Sequence, residues 1–289
     1  MPEKRDRPGH AALRGAVALL LMTLVGGVQP PLAGGQTQPV VGQEGKDVPW
    51  VPTPDELVDT MLDMGQVSAD DLLVDLGSGD GRLVVAAARL GARAIGIEIE
   101  PNLVARSIER ATEAGVSDLT EFVTADLFEY DLSQATVITL FLLPDLNLRL
   151  RPILYGLKPG TRIVSNTWHL NGWDDEPESA DGWTPDETVV LTPCPTWCTA
   201  MLWIVPAKMQ GTWSWPDGEL RLSQRFERLS GTLRTAVGTV PIADGQVRGN
   251  AIAFRVGVID YTGTVSDDRI SGVTRTPRGS VDWNATRSQ

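Results

Sequence analysis

The chain has 289 residues, 21% of them charged and 42% hydrophobic, with a net charge of −12. Those proportions describe an ordinary folded protein of one large or two modest domains and exclude collagen, a coiled coil, long disorder and a multispanning membrane protein. Two cysteines, Cys194 and Cys198, cannot build a disulfide scaffold, and their lone C-x3-C spacing does not complete a zinc site, so no metal is expected.

The charge is unevenly placed. Residues 36–208 hold 11 Lys/Arg against 27 Asp/Glu, a net −16, while 1–35 and 209–289 are each +2. An acidic body repels phosphate backbones, which disfavours nucleic acid and suits a cationic protein or small molecule. Solubility alone also accounts for such acidity.

In chain order, residues 1–14 form a basic leader, 15–28 an apolar run of 14, and Ala33-Gly34-Gly35 a small-residue exit. These are the three parts of a secretory signal. The run is shorter than the ~20 residues of a spanning helix. Cleavage after Gly35 is therefore expected, leaving an exported, periplasmic or secreted chain with no stable membrane span, or an anchored one if the signal is retained. A Gly/Gln/Pro linker occupies 36–47.

A first domain is expected over 48–208. Thr53 is placed as an N-cap, with Pro54 first in the helix and Glu56 completing a capping box, and Leu57, Met61 and Leu62 face the core. Strands are predicted over 72–76, 94–99, 122–124, 137–143 and 162–165, with helices over 82–90, 102–114 and 148–157. Alternating strands and helices predict an α/β, Rossmann-like, doubly wound, mostly parallel sheet. From 209 to 289 the period changes to short alternating runs with turn signals at Asp244-Gly245 and Ser266-Asp267-Asp268, and with Gly231, Gly249, Gly263 and Gly272 beside the runs. This predicts a small all-β domain, an antiparallel meander or barrel, dispensable for cofactor binding. Trp213, Trp215 and Trp283 there are either core or an aromatic ligand surface.

The informative stretch is Val74-Asp75-Leu76-Gly77-Ser78-Gly79-Asp80-Gly81-Arg82, between a strand and a helix. Gly77, Gly79 and Gly81 let backbone approach a ligand at the carboxyl edge of the sheet. A dinucleotide fingerprint needs Gly or Ala where Arg82 stands, and Asp75 puts a carboxylate near any pyrophosphate. A ligand cationic at this end fits better, and S-adenosylmethionine carries an ammonium and a sulfonium there. Asp75 is assigned to the ammonium, Glu98 to the ribose hydroxyls, and Asp126 to the adenine amino group.

With these residues the chain resembles the class I, seven-strand S-adenosylmethionine-dependent methyltransferases. VDLGSGDGR stands as motif I, IGIEIEP as the acidic-loop motif and LKPGTRIVS as the late strand motif. The resemblance implies a seven-strand sheet closed by an antiparallel pair over 187–191 and 200–205. More narrowly, WVPTP, VDLGSGDGR and FLLPDLNLRLRP resemble bacterial relatives of the mitochondrial protein-lysine methyltransferases that modify ATP synthase and the nucleotide carrier. Those families favour Tyr or Phe where this chain has Trp50. The resemblance also implies that the Thr53 region closes over the methionine end of the cofactor.

The acceptor mouth is expected at Leu143-Pro144-Asp145 and along 166–173. The Asn/Asp-Pro-Pro-aromatic motif of many base and glutamine methyltransferases is absent there, which further disfavours nucleic acid. The bacterial relatives carry a His directly after the Ser of the fifth strand, where this chain has Asn166, so that role is lost or moved to His169. Asp145, Asn166 and His169 are the candidate catalytic residues, with capping or packing as their alternatives. Cys194 and Cys198 either pair or stay reduced. The leading expectation is methyl transfer to a protein lysine. The alternatives are a small-molecule N- or O-methyltransferase and a non-catalytic cofactor-fold binding protein of the cell envelope; a dehydrogenase ranks below them.

Overall fold

The computed structural model describes residues 49–172, 182–193 and 196–288. The expected leader and linker, Trp173 and Cys194 lie outside the described residues. No helix among the described residues is long and apolar enough to cross a membrane.

Seven strands make one sheet: β1 (Leu72–Leu76), β2 (Arg93–Glu98), β3 (Thr120–Thr124), β4 (Val137–Leu140), β5 (Arg162–Asn166), β6 (Glu187–Val190) and β7 (Thr199–Ile204), in the order β3-β2-β1-β4-β5-β7-β6. The first five are parallel, and β7 runs antiparallel to both β5 and β6. This is the Rossmann-like sheet that the alternation predicts. The strand order turns back between β1 and β4, and a doubly wound sheet opens its ligand crevice beyond the carboxyl ends of strands at such a point.

Four helices cover the sheet: α1 (Asp55–Met64), α2 (Arg82–Arg89), α3 (Pro101–Glu113) and α4 (Pro144–Tyr155). Leu57, Met61 and Leu62 of α1 are buried as expected, joined by Val58 and Met64. Three local expectations change. Helix α1 begins at Asp55 with Pro54 as its N-cap and no side-chain cap, because the Thr53 side chain is committed elsewhere. Helix α4 begins four residues before the expected start, with Pro144 in its first position, where a missing N–H costs nothing. Strand β4 stops at Leu140, because Phe141 and Leu142 leave the sheet to line a cleft, so their apolar character is not that of a strand.

Nine strands follow: β8 (Gly211–Trp215), β9 (Gly218–Arg225), β10 (Arg228–Thr235), β11 (Gly238–Pro241), β12 (Ala243–Arg248), β13 (Ala251–Val256), β14 (Ile259–Ser266), β15 (Arg269–Thr276) and β16 (Gly279–Arg287). They pair antiparallel as β11-β10-β12-β13-β14-β15-β16-β8-β9, and β9 pairs back onto β10, so the meander closes into a barrel. Trp213 and Trp283 are buried in its core with Phe254, so the tryptophans expected as either core or ligand surface are mainly core. Ser266-Asp267-Asp268 is a hairpin turn, as expected. Asp244-Gly245 is not: it lies within β12, where Asp244 at φ +53 makes a bulge against β13. An Asp that tolerates the left-handed region serves a turn and a bulge equally, so the local signal does not separate them.

Side chains cross the boundary at Lys208. Phe226, at the β9–β10 turn, stacks on the fully buried Trp183 with centroids 5.8 Å apart and planes 3° from parallel, and meets Tyr155 edge-on at 5.1 Å. Arg228 donates to the Thr184 hydroxyl at 2.7 Å, Arg248 pairs with Asp186 at 2.8 Å, and the Ala207 N–H donates to the Gly249 carbonyl at 2.8 Å. Residues 37–289 form one compact unit.

Candidate active site

A cleft of roughly 990 Å3, open mouth included, lies beyond the carboxyl ends of β1, β2 and β4. Of the seven residues assigned to cofactor binding, Thr53, Asp75, Gly77, Gly79, Glu98 and Asp126 line it. Gly81 does not. It is the N-cap of α2 at φ +75, and a Cβ there would fall 2.7 Å from Cβ of Ser107 and 2.8 Å from the Phe122 ring. Its glycine therefore serves the close approach of α2 to α3 and β3 rather than a ligand.

Asp75 is 4% exposed at the end of β1, and its partner among the described residues is the Thr139 hydroxyl, which donates to Oδ1 at 2.7 Å. Burial, with added repulsion from Glu98 and Asp80, pushes its carboxyl up to about 7 despite the Thr139 hydrogen bond. Glu98, also buried, is raised by desolvation although three backbone N–H groups donate to it: Gly79 at 2.9 Å, Ile99 at 2.8 Å and Glu100 at 3.0 Å. Two of the three acids around the glycine loop thus carry no protein cation. The third does: Asp80 is buried, yet hydrogen bonds from Arg82 and the charges of Arg82 and Arg110 hold it below its ordinary value.

In the sequence Arg82 only excludes a dinucleotide; the structure gives it a structural task. Its Nε and Nη2 grip both oxygens of Asp80 at 3.0 and 2.9 Å, while Nη1 donates to the Thr53 carbonyl at 2.7 Å. Residues 49–53 are thereby fastened over the glycine loop, and Trp50 lies so close to Gly79 that a Cβ there would sit 2.5 Å from the indole nitrogen. The Thr53 hydroxyl, 4% exposed, accepts from Nδ2 of Asn166 at 3.3 Å.

The three catalytic candidates separate. Asn166 is buried at the end of β5 and reaches the cleft through Thr53, with the Thr167 hydroxyl donating to its Oδ1 at 2.7 Å. His169 does not line the cleft; its ring packs edge-on against Trp203, a fully buried core side chain, at 6.3 Å. Asp145 is exposed in the first turn of α4, one residue before Leu146, which does line the cleft. On the far side, Asp126 accepts from the Phe128 N–H at 2.9 Å, and the Phe128 ring, a cleft wall the motifs do not flag, is backed by Arg149 at 3.6 Å from its centroid.

Residues 75–177 match the sequence model of the ANTKMT methyltransferase domain. A protein-lysine N-methyltransferase of Saccharolobus islandicus is 42% identical over 130 residues, 44% of this chain and 81% of that protein. The chain belongs to this methyltransferase family. A human ATP synthase lysine N-methyltransferase is 30% identical over 164 residues, 55% of this chain and 70% of that protein. Among solved structures, an RNA methyltransferase from Salinibacter ruber in complex with S-adenosyl-L-homocysteine is 48% identical, covering 55% of this chain and 96% of that one at a TM-score of 0.49.

As a member, this methyltransferase uses S-adenosylmethionine, and the cleft fits that molecule. A buried carboxyl without a counter-cation, Asp75, is a place where a ligand ammonium offsets desolvation. Asp75 and Glu98, both uncompensated beside the glycine loop, would meet a pyrophosphate with like charge.

Proposed function

We propose that the methyl acceptor of this enzyme is the side-chain amine of a protein lysine. The observation that carries the reading is the 42% identity to a protein-lysine N-methyltransferase across 81% of that enzyme, supported by the acidic body of 36–208, which suits a cationic acceptor. When bound, S-adenosylmethionine supplies an electrophilic methyl carbon. Asp75 holds the ammonium of its amino-acid end, Glu98 faces the ribose, and Asp126 faces the adenine. Thr53, fixed by Arg82 and Asn166, closes the strap over the amino-acid end and limits water at the reacting centre. The acceptor amine enters neutral, its proton released to water at the open mouth, since neither His169 nor Asp145 lines the cleft.

We also propose that the protein acts outside the cytoplasmic membrane. The leader pattern supports this, as does Cys198, which is disulfide-bonded, a state that persists in oxidising compartments.

The test is to incubate the purified protein with radiolabelled S-adenosylmethionine and a cell-envelope extract, hydrolyse the labelled product and separate its amino acids. Label on methylated lysine is expected. Label on a nucleobase, a small molecule or another amino acid overturns the acceptor assignment, and cofactor binding without any labelling favours a non-catalytic binding protein.

A further inference from the structure

Three loops beyond the sheet edge bring aromatic rings together beside the cofactor cleft. Phe141 follows β4 and lines the cleft. Trp168 stands two residues past β5, and Trp197 lies between β6 and β7. Trp197 sits between the other two, its ring centroid 6.0 Å from Phe141 and 5.8 Å from Trp168, with planes tilted by 55° and 51°. Trp197 remains 39% exposed.

Two backbone positions aim this cluster. Thr167, just before Trp168, has φ +63, and Trp197 itself has φ +61. Bulky or β-branched residues seldom take the left-handed region, which costs of the order of 1 kcal/mol or more, and such conformations gather at ligand clamps. The Trp168 carbonyl is pinned by the Ser165 hydroxyl at 2.7 Å and by Asn147 Nδ2 at 3.1 Å, which keeps the loop in place.

We propose that Phe141, Trp168 and Trp197 form an aromatic wall that receives the acceptor's lysine side chain and favours its cationic, methylated head. The proposal rests on the lysine reading above. Aromatic faces attract ammonium groups within about 6 Å of the ring centre, and methylation leaves the positive charge while shedding water. The hydrocarbon stem of lysine suits the same apolar rings. An acidic body draws a cationic segment toward this mouth, and the wall then distinguishes lysine from a neutral side chain of equal length.

The test uses the full chain saturated with S-adenosylhomocysteine and titrates two probes by NMR: Nα-acetyl-Nε-trimethyl-lysine amide and its neutral carbon isostere bearing a tert-butyl head. The cation is expected to bind about two- to fivefold tighter, the range of an exposed cation–π contact. Trp197→Ala removes the preference, Trp197→Phe retains part of it, and both keep S-adenosylhomocysteine affinity, because Trp197 does not line the cofactor cleft. Equal binding of the two probes, or a preference untouched by Trp197→Ala, overturns the wall. Label on lysine in the envelope experiment together with equal probe binding overturns the wall alone and leaves the acceptor assignment standing.

Discussion

Nη1 of Arg82 donates to the carbonyl oxygen of Thr53 at 2.7 Å while the rest of its guanidinium grips Asp80. One side chain thus joins the loop that approaches the cofactor to the strap that covers it. Arg82→Ala frees the strap and leaves buried Asp80 with Arg110 as its cation. Cofactor affinity is expected to fall by about 1 to 3 kcal/mol, the range for hydrogen bonds involving charged groups, and Tm with it. Arg82→Lys rescues little, since one ammonium cannot span both partners. Calorimetry and thermal melts of the two variants check this; wild-type affinity in Arg82→Ala would remove the strap from the binding account.

Asp75→Ala and Glu98→Ala are each expected to weaken S-adenosylmethionine binding by about 1.5 to 3 kcal/mol, because each removes a charged acceptor from a buried position. NAD should show no heat of binding to the wild-type protein, since Asp75 and Glu98 lack cations where a pyrophosphate would lie. Unchanged affinity in both variants would displace the site.

The raised carboxyl of Asp75 makes binding depend on pH. It must be ionised to hold an ammonium, so affinity should rise as pH climbs through about 7 and level off above, and Asp75→Asn should give a flat profile. The effect on stability has the opposite sign. The folded chain without cofactor binds this proton more tightly than the unfolded chain does, whose carboxyl titrates near 3.8, so stability is lost as pH rises from about 4 to 7. Asp75→Asn removes that loss. At pH 8 the cofactor-free variant should melt above the wild type, by on the order of 2 kcal/mol of stability, while binding the cofactor more weakly. A variant that melts lower at pH 8 would mean that the carboxylate is stabilised by something other than its ligand.

The ring of Phe226 lies on the shared face between the parallel sheet and the barrel. Phe226→Ala leaves Trp183 and Tyr155 without their cover and is expected to cost about 2 to 4 kcal/mol of stability. None of these three residues lines the cleft, so cofactor affinity should stay within about 1 kcal/mol. Truncation after Lys208 removes the same ring and should lower Tm further. A truncated chain that melts like the whole would show that the parallel sheet closes its own core.

Export predicts a mature chain that starts near Gln36. Mass spectrometry of the N-terminus of the native protein reads this directly. An intact Met1 in a cytosolic fraction would remove the export proposal.

Asp75, Glu98 and the glycines between them are legible in the sequence because each follows a short apolar strand, and a carboxylate or a glycine at a strand's carboxyl end has few purely structural uses there. The closing antiparallel pair follows from the resemblance, and the barrel from a change of period. Tertiary structure decided what depends on partners distant in sequence. Gly81 looks like a ligand glycine until Ser107 and Phe122 are seen to press against it. Thr53 looks like a helix cap until Asn166, 113 residues away, claims its hydroxyl. His169 looks like a base until it is found against Trp203. Local sequence sets backbone preference and the side of an element that is buried, whereas a side chain's task is fixed by whichever group the fold brings within about 3 Å of it, and that distance is a property of the whole chain.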